Sequence, residues 1–353
     1  MLAAISFFPV KVSALSAKNA ILMDGDTGRV LYEKNADTRV LIASTTKIMT
    51  GLIICEQVNV LDRVKIPKEA VGVEGSSMYL KEGEILTVQE LLYGLMLQSG
   101  NDAAVALAIY CSGTVEGFVG LMNDKAHRLE LWDTHFENPH GLDGNAHYST
   151  AKDMARLAAY AMENPIFYKT VSAKTARAGE RSLRNHNKLL WHLEGADGVK
   201  TGYTKAAGRI LVSSVTRQGR RLIAVTMQAP GDWNDHKTLH ESGFRNYTME
   251  QVITKGTCLG YAEVVGGTTD RVGLVATEDF ACPVGKDEKV TVVLQPPGFV
   301  YAPVVEGATA GVAYVCIDGK AVGKVTLVYD AGAQQLITKK PGLLHRIFGG
   351  NSN

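Results

Sequence analysis

The sequence predicts an α+β protein in which a large first domain mixes helices with β-hairpins and a small second domain is all β. Three observations carry that expectation. Apolar residues recur at helical spacing in several stretches before Tyr247, as in Val88, Leu91, Leu92, Leu95 and Met96. Two pairs of β-prone runs close over tight-turn residues, Gly25-Asp-Thr-Gly28 and Gln218-Gly219. From Val252 onward helical periodicity disappears, and short Val-rich runs alternate with Gly, Pro and Asp-Gly turns through Asp330. A chain of 353 residues suits two domains. The expected divisions are a leader at 1–17, a large domain at 18–250, a small β domain at 251–331 and a tail at 332–353.

The chain opens with Leu2-Ala-Ala-Ile-Ser-Phe-Phe-Pro-Val10, then Lys11 and mostly small residues to Ala17. An apolar stretch followed by small residues reads as a remnant of a secretory signal, against the plainer reading of a buried strand. Residues 20–24 and 29–33 then form the arms of a hairpin. Ser44 opens a helix to about Val58, with Ile48, Met49, Leu52 and Ile53 at helical spacing. Residues 61–86 look irregular, broken by Gly72, Gly75 and Gly83. Thr87-Val-Gln-Glu90 has the form of a capping box ahead of a helix that ends at Ser99-Gly100-Asn101. Residues 103–111 are apolar or aromatic throughout, which predicts a helix buried all round. Ser99-Gly-Asn101 is therefore a polar link pinned between two core helices, where a functional group gains rigidity.

Another helix is expected at 115–129, a loop at 138–144, and a helix at 151–162 that Ser149 or Thr150 caps and Pro165 ends. Residues 170–198 resist assignment. A second hairpin covers 209–215 and 221–227, and a helix at about 235–247 closes the large domain. The tail, with Leu343-Leu-His-Arg-Ile-Phe348, reads equally as a short amphipathic membrane-surface segment or a frayed terminus.

Ser44-Thr45-Thr46-Lys47 is where chemistry enters. At a helix start, residues three apart share a face, so an amine stands beside a hydroxyl whose proton it can take. Alone, the pattern reads as an N-cap serine with a solvated lysine. Its co-occurrence with Ser99-Gly-Asn101 and with Lys200-Thr201-Gly202, which enters a strand, changes that reading. In this order the three motifs resemble those of penicillin-binding proteins and serine β-lactamases. Further segments narrow the likeness: Glu74-Gly-Ser-Ser-Met78, Asn138-Pro-His-Gly-Leu142, His147-Tyr-Ser-Thr-Ala151 and Asp197-Gly-Val-Lys-Thr-Gly-Tyr-Thr204. Residues 19–250 resemble the D-alanyl-D-alanine carboxypeptidases among low-molecular-mass penicillin-binding proteins, and 252–330 agree more loosely with that family's second domain.

The resemblance implies a large domain with an antiparallel sheet flanked by helices plus an all-helical subdomain. It also implies roles. Ser44 would be the nucleophile, forming an acyl-enzyme with the peptide carbonyl between two terminal D-alanines. Lys47 would be the base, neutral through burial and a nearby Lys200. Ser99 would relay a proton to the departing D-alanine, and Asn101 would hydrogen-bond the substrate backbone. Lys200 and Thr201 would hold the terminal carboxylate. Gly202 and Tyr203 complete the substrate-binding strand, with the N–H groups of Ser44 and Tyr203 as the oxyanion hole. The implied partners are peptidoglycan stem peptides ending in D-alanyl-D-alanine and, as covalent inhibitors, β-lactam antibiotics. The implied location is extracytoplasmic.

One departure bears on specificity. Some family members carry a carboxylate-binding arginine in the segment that here reads Gly231-Asp-Trp-Asn-Asp-His-Lys237, which has none, and His236 and Lys237 are the substitutes to consider.

Other readings are weaker. A net charge of +1 argues against nucleic acid as a partner. No His-Glu-x-x-His helix occurs, so neither a metal nor another cofactor is expected. Asp24-Gly-Asp-Thr-Gly28 lacks the second copy an aspartic-protease dyad requires and reads as a turn. His147 reads as a loop-positioning residue. Trp191, Trp233 and Tyr203 line either a substrate groove or the core. Five scattered cysteines form no Cys-x-x-Cys pair. A D,D-endopeptidase, a β-lactamase-like hydrolase and a non-catalytic penicillin-binding module are the alternative functions.

Overall fold

Strand β1 (Asn19–Asp24) is buried along its whole length and turns into β2 (Val30–Lys34). Asp24 makes the turn: its Oδ1 accepts from the Thr27 N–H and hydroxyl, and its Oδ2 pairs with Arg220. The carboxylate that resembled a protease motif is thus a turn and ion-pair residue. These strands belong to a computed structural model that describes residues 14–336, and the chain divides between Asn246 and Tyr247 into two units. The expected leader lies outside the described residues up to Ser13. Its last residues are docked on the first unit: Ser16 and Ala17 donate to the Asp235 carboxylate, and Leu15 and Ala17 are buried.

A 3₁₀ turn (Ala43–Thr46) leads into helix α1 (Lys47–Gln57), whose first nine residues are all buried. The stretch that looked irregular carries a two-stranded ladder, β3 (Arg63–Lys65) with β4 (Ile85–Thr87). Helix α2 (Val88–Leu97) starts at the expected capping box, in which Thr87 and Glu90 satisfy each other's backbone N–H. Helix α3 (Asn101–Ser112) is buried through Ala108, after which Tyr110 reaches the surface. Helix α4 (Val115–Arg128) packs Phe118, Met122 and Ala126 inward. Thr150 caps α5 (Ala151–Glu163). Pro165 ends α5 and also begins α6 (Pro165–Ser172), because Asn164 accepts from the N–H groups of Ile166 and Phe167 and proline at the first position needs no donor.

The unassigned stretch holds a hairpin of β5 (Thr175–Ala178) and β6 (Arg181–Arg184), a helical turn α7 (Leu189–His192) and then β7 (Ala196–Thr204). Strands β8 (Gly208–Arg217) and β9 (Arg220–Met227) form the expected second hairpin, and α8 (Asp232–Asn246) follows. The sheet is antiparallel with the order β2-β1-β9-β8-β7, which leaves β7 as an edge. Helices and one face of this sheet share a single core, from Ile21 and Ile48 through Leu92 and Phe118 to Val212 and Val225.

The second unit is all β. Strand β10 (Tyr247–Ile253) pairs with β13 (Phe280–Gly285). A six-stranded sheet has the order β14-β16-β17-β12-β11-β15, from β11 (Cys258–Val265), β12 (Arg271–Ala276), β14 (Val290–Gln295), β15 (Phe299–Tyr301), β16 (Thr309–Ile317) and β17 (Lys320–Tyr329). Leu274, Ala313, Val315, Val325 and Leu327 centre its core. Ala333 and Gln335 still bridge to residues of this unit, whereas the amphipathic segment at 343–348 lies outside the described residues. Among the described residues no single helix is long and apolar enough to cross a membrane.

Candidate active site

Ser44 stands on the 3₁₀ turn that enters α1, and its hydroxyl caps no helix. Thr45 and Thr46 tie the turn by donating to the Ile42 and Ala43 carbonyls. Ala43 adopts a φ of +45°, a left-handed backbone that side chains beyond glycine rarely take. Lys47 is 0 % exposed, which removes the reading of a solvated lysine. Its Nζ lies 2.7 Å from Asn101 Oδ1, 2.6 Å from the His140 carbonyl and 3.1 Å from Ser44 Oγ. The first two partners can only accept. A neutral amine has two N–H groups, so both are taken and its lone pair is left facing the serine hydroxyl. Burial first, and then the charge of Lys200, hold this amine well below its usual 10.5, with Asp102 opposing. In this arrangement a proton can move from Ser44 Oγ to Lys47 Nζ.

The polar link between α2 and α3 braces this amine. Ser99 has a φ of +63° and Asn101 opens α3. Asn101 Nδ2 donates to the Glu74 carbonyl at 2.6 Å, and its N–H donates to the Ser76 carbonyl. With one Nδ2–H on Glu74 and Oδ1 on Lys47, the amide serves the protein first; the second Nδ2–H and one Oδ1 lone pair remain for a substrate. Asp102, given no role from the sequence, anchors the facing segment by accepting from the N–H groups of Met78 and Leu80 and the Ser77 hydroxyl. His147 has the positioning role expected of it. Its Nδ1 accepts from the Glu137 N–H, so its Nε2 carries the proton toward Thr46 Oγ1, and burial pushes its pKa down to about 4.

Strand β7 brings the third motif alongside. A Cβ on Gly202 would meet the Ile42 carbonyl oxygen, the Ser44 nitrogen and Thr45 Cγ2, each at 3.3 Å, so this edge lies against the Ser44 backbone. Lys200 is buried, its Nζ donates to the Thr201 carbonyl at 2.9 Å, and burial lowers its pKa to about 7. Ser44, Ser99, Thr201 and Gly202 line an open cavity of about 370 Å³, with the exposed Tyr203 at its wall. Lys47, Asn101 and Lys200 do not line it and sit behind its surface.

Other lining residues went unassigned in the sequence. Arg209 and Asp232 form an ion pair in the cavity wall beside Trp233, and Ser76, His186, Lys188 and Ile210 complete the lining. Arg209 lies opposite Tyr203 in the β7–β8 ladder. The sequence put Lys200-Thr201-Gly202 on a strand ahead of the expected hairpin but gave that strand neither bounds nor register, so its pairing with Arg209 was not readable. His236, one of the two substitutes considered for carboxylate binding, is in the core instead, bonded to the hydroxyls of Ser213 and Thr226. Lys237 is exposed and does not line the cavity. Tyr203 and Trp233 line the groove, and Trp191 lines a neighbouring cavity of about 630 Å³.

Comparison with known proteins agrees along most of the chain. The sequence model of the D-alanyl-D-alanine carboxypeptidases matches residues 7–231, and that of the penicillin-binding protein 5 C-terminal domain matches 247–334. The D-alanyl-D-alanine carboxypeptidase DacF of Bacillus subtilis is 34% identical over 327 residues, 88% of this chain and 84% of that protein. The D-alanyl-D-alanine carboxypeptidase DacA of Escherichia coli is 35% identical over 337 residues, 90% of this chain and 83% of that protein. The crystal structure of penicillin-binding protein 5 from Haemophilus influenzae superposes with a TM-score of 0.81 at 31% identity, covering 92% of this chain and all of that one.

Proposed function

The chain belongs to the D-alanyl-D-alanine carboxypeptidase family, and on that footing we propose that it removes the terminal D-alanine from peptidoglycan stem peptides through an acyl-enzyme on Ser44. The observation that carries the site assignment is the Lys47 amine, buried, held by two acceptors and turned toward Ser44 Oγ. In the first step Ser44 Oγ bonds to the penultimate carbonyl carbon while its proton passes to Lys47 Nζ. The oxyanion forms against the N–H groups of Ser44 and of Tyr203 on the β7 edge. The carbon–nitrogen bond then breaks, and the departing amine takes a proton by way of Ser99. Water hydrolyses the ester and restores Ser44.

Lys200 acts from behind the cavity, where its charge favours a neutral Lys47. Thr201 offers its hydroxyl to the substrate, and Gly202 lets the strand close on the nucleophile. Penicillins react at the same carbonyl-type centre, but their opened ring stays tethered and blocks the water. Substrates of this kind lie outside the cytoplasmic membrane, so the enzyme acts there; the apolar start of the 1–17 segment, ahead of the docked residues 15–17, is read as its export signal, and the tail at 332–353 as a peripheral membrane contact.

The test is D-alanine release from a synthetic peptide ending in D-alanyl-D-alanine, run beside labelled penicillin. The wild-type chain is expected to release D-alanine and to hold the label stably. Ser44→Ala is expected to lose both, and labelling that persists in this variant removes Ser44 as nucleophile. Rapid turnover of the label would point to a β-lactamase.

A further inference from the structure

We infer that Arg209, oriented by Asp232 and working with the Thr201 hydroxyl, is the group that grips the substrate's terminal carboxylate. This rests on the carboxypeptidase reading above and deepens it. A ligand ending in a carboxylate needs a cation it can touch. Lys47 and Lys200 are buried behind the cavity, and each already donates to protein carbonyls. The segment where the family resemblance placed an arginine holds Asp235, occupied by Ser16 and Ala17, and His236, occupied by Ser213 and Thr226. Neither faces the cavity.

Arg209 does. It enters the wall from β8 opposite Tyr203, which puts it diagonal to Thr201 across the ladder, within reach for a long side chain. Asp232 is buried and takes one edge of the guanidinium: Nε donates at 3.1 Å and Nη2 at 2.9 Å. The guanidinium has five N–H donors. Nη1 makes no hydrogen bond among the described residues, so its edge stays available with its plane already set. Trp233 lies beside it, 5.8 Å from the guanidinium carbon to the ring centre. The Thr201 hydroxyl likewise has no hydrogen-bond partner among the described residues and lines the same cavity. An Arg–carboxylate pair is favoured by the match of two parallel N–H donors to two oxygens. Lys188 is the competing cation. It sits with His186 where the catalytic cavity meets the second one, is exposed, and has no acid holding it among the described residues.

The experiment compares a D-alanyl-D-alanine peptide with its C-terminal carboxamide, and benzylpenicillin with its methyl ester, on wild type, Arg209→Gln, Arg209→Lys and Asp232→Asn. Arg209→Gln is expected to lower kcat/KM for the acid peptide about 10- to 100-fold, the loss of one charge-assisted pair, and to leave the carboxamide within about twofold. Acylation should follow the same split, slower for the penicillin acid and unchanged for the ester. Asp232→Asn should lose part of the same selectivity, and Arg209→Lys should recover only part of it. Equal losses on acid and neutral ligands would make Arg209 structural and overturn the inference, as would no loss at all or a full transfer of the effect to Lys188→Gln. If wild type acylates but releases no D-alanine, the carboxypeptidase reading fails and the acid-to-ester ratio still decides Arg209. A chain that neither acylates nor hydrolyses overturns both.

Discussion

Lys47 shows how a residue acquires chemistry from its surroundings. A lysine with an ordinary pKa would be charged and useless as a base; burial and Lys200 hold this one well below 10.5. Acylation needs the neutral amine, so its rate is expected to rise with pH through that lowered pKa. Lys47→Ala should slow labelling by about 10²–10⁴-fold and remove this rising limb, with labelled penicillin followed against pH. Full acylation in the variant would end its role as base. The Ser44 and Lys47 spacing was legible because three residues along one turn is a local relation. The other two partners of the amine were not, since Asn101 and His140 lie 54 and 93 residues away.

Elements set the geometry that those residues need. The loop after Pro139 lies against the nucleophile turn, where a Cβ on Gly141 would come within 1.9 Å of the Ala43 carbonyl oxygen, and Gly141 has a φ of +92°. Gly141→Ala therefore has no compatible conformation and should destabilise the chain by about 2 kcal/mol or more, read from the urea midpoint. Wild-type stability in that variant would show the loop to be movable. The α2 capping box was readable from Thr87 to Glu90, because a cap is written within four consecutive residues. Strand β7 was readable only at Lys200-Thr201-Gly202, and its extent and register were not. Its run carries two glycines and two charged residues, Asp197 and Lys200, and its burial comes from neighbours elsewhere in the sequence. Arg209 was missed with it, since only the ladder to β7 places it in the cavity.

At the scale of the molecule, the sheet order sets the N-terminal hairpin beside β9 and leaves β7 at the edge that faces Ser44. Between β8 and α8, Ser213 bonds both His236 and His240, which burial keeps neutral. His240 is lowered to about 3 from 6.5. Below pH 6.5 the unfolded chain binds a proton that the folded one refuses, so stability is full above that pH and falls as the pH drops toward 3. Thermal midpoints should decline over that window, less steeply in His240→Gln; identical slopes would remove the histidine as a cause. The sequence by itself determined helices α1 to α5 and α8, the β1–β2 and β8–β9 hairpins and the all-β second part, and it located the three motifs, because periodicity, caps and turns are relations among near neighbours. Tertiary structure alone decided which carbonyls hold the amine, how the edge strand is registered on its neighbour, and which cation meets the cavity. Those outcomes depend on pairing and burial between segments far apart in the chain.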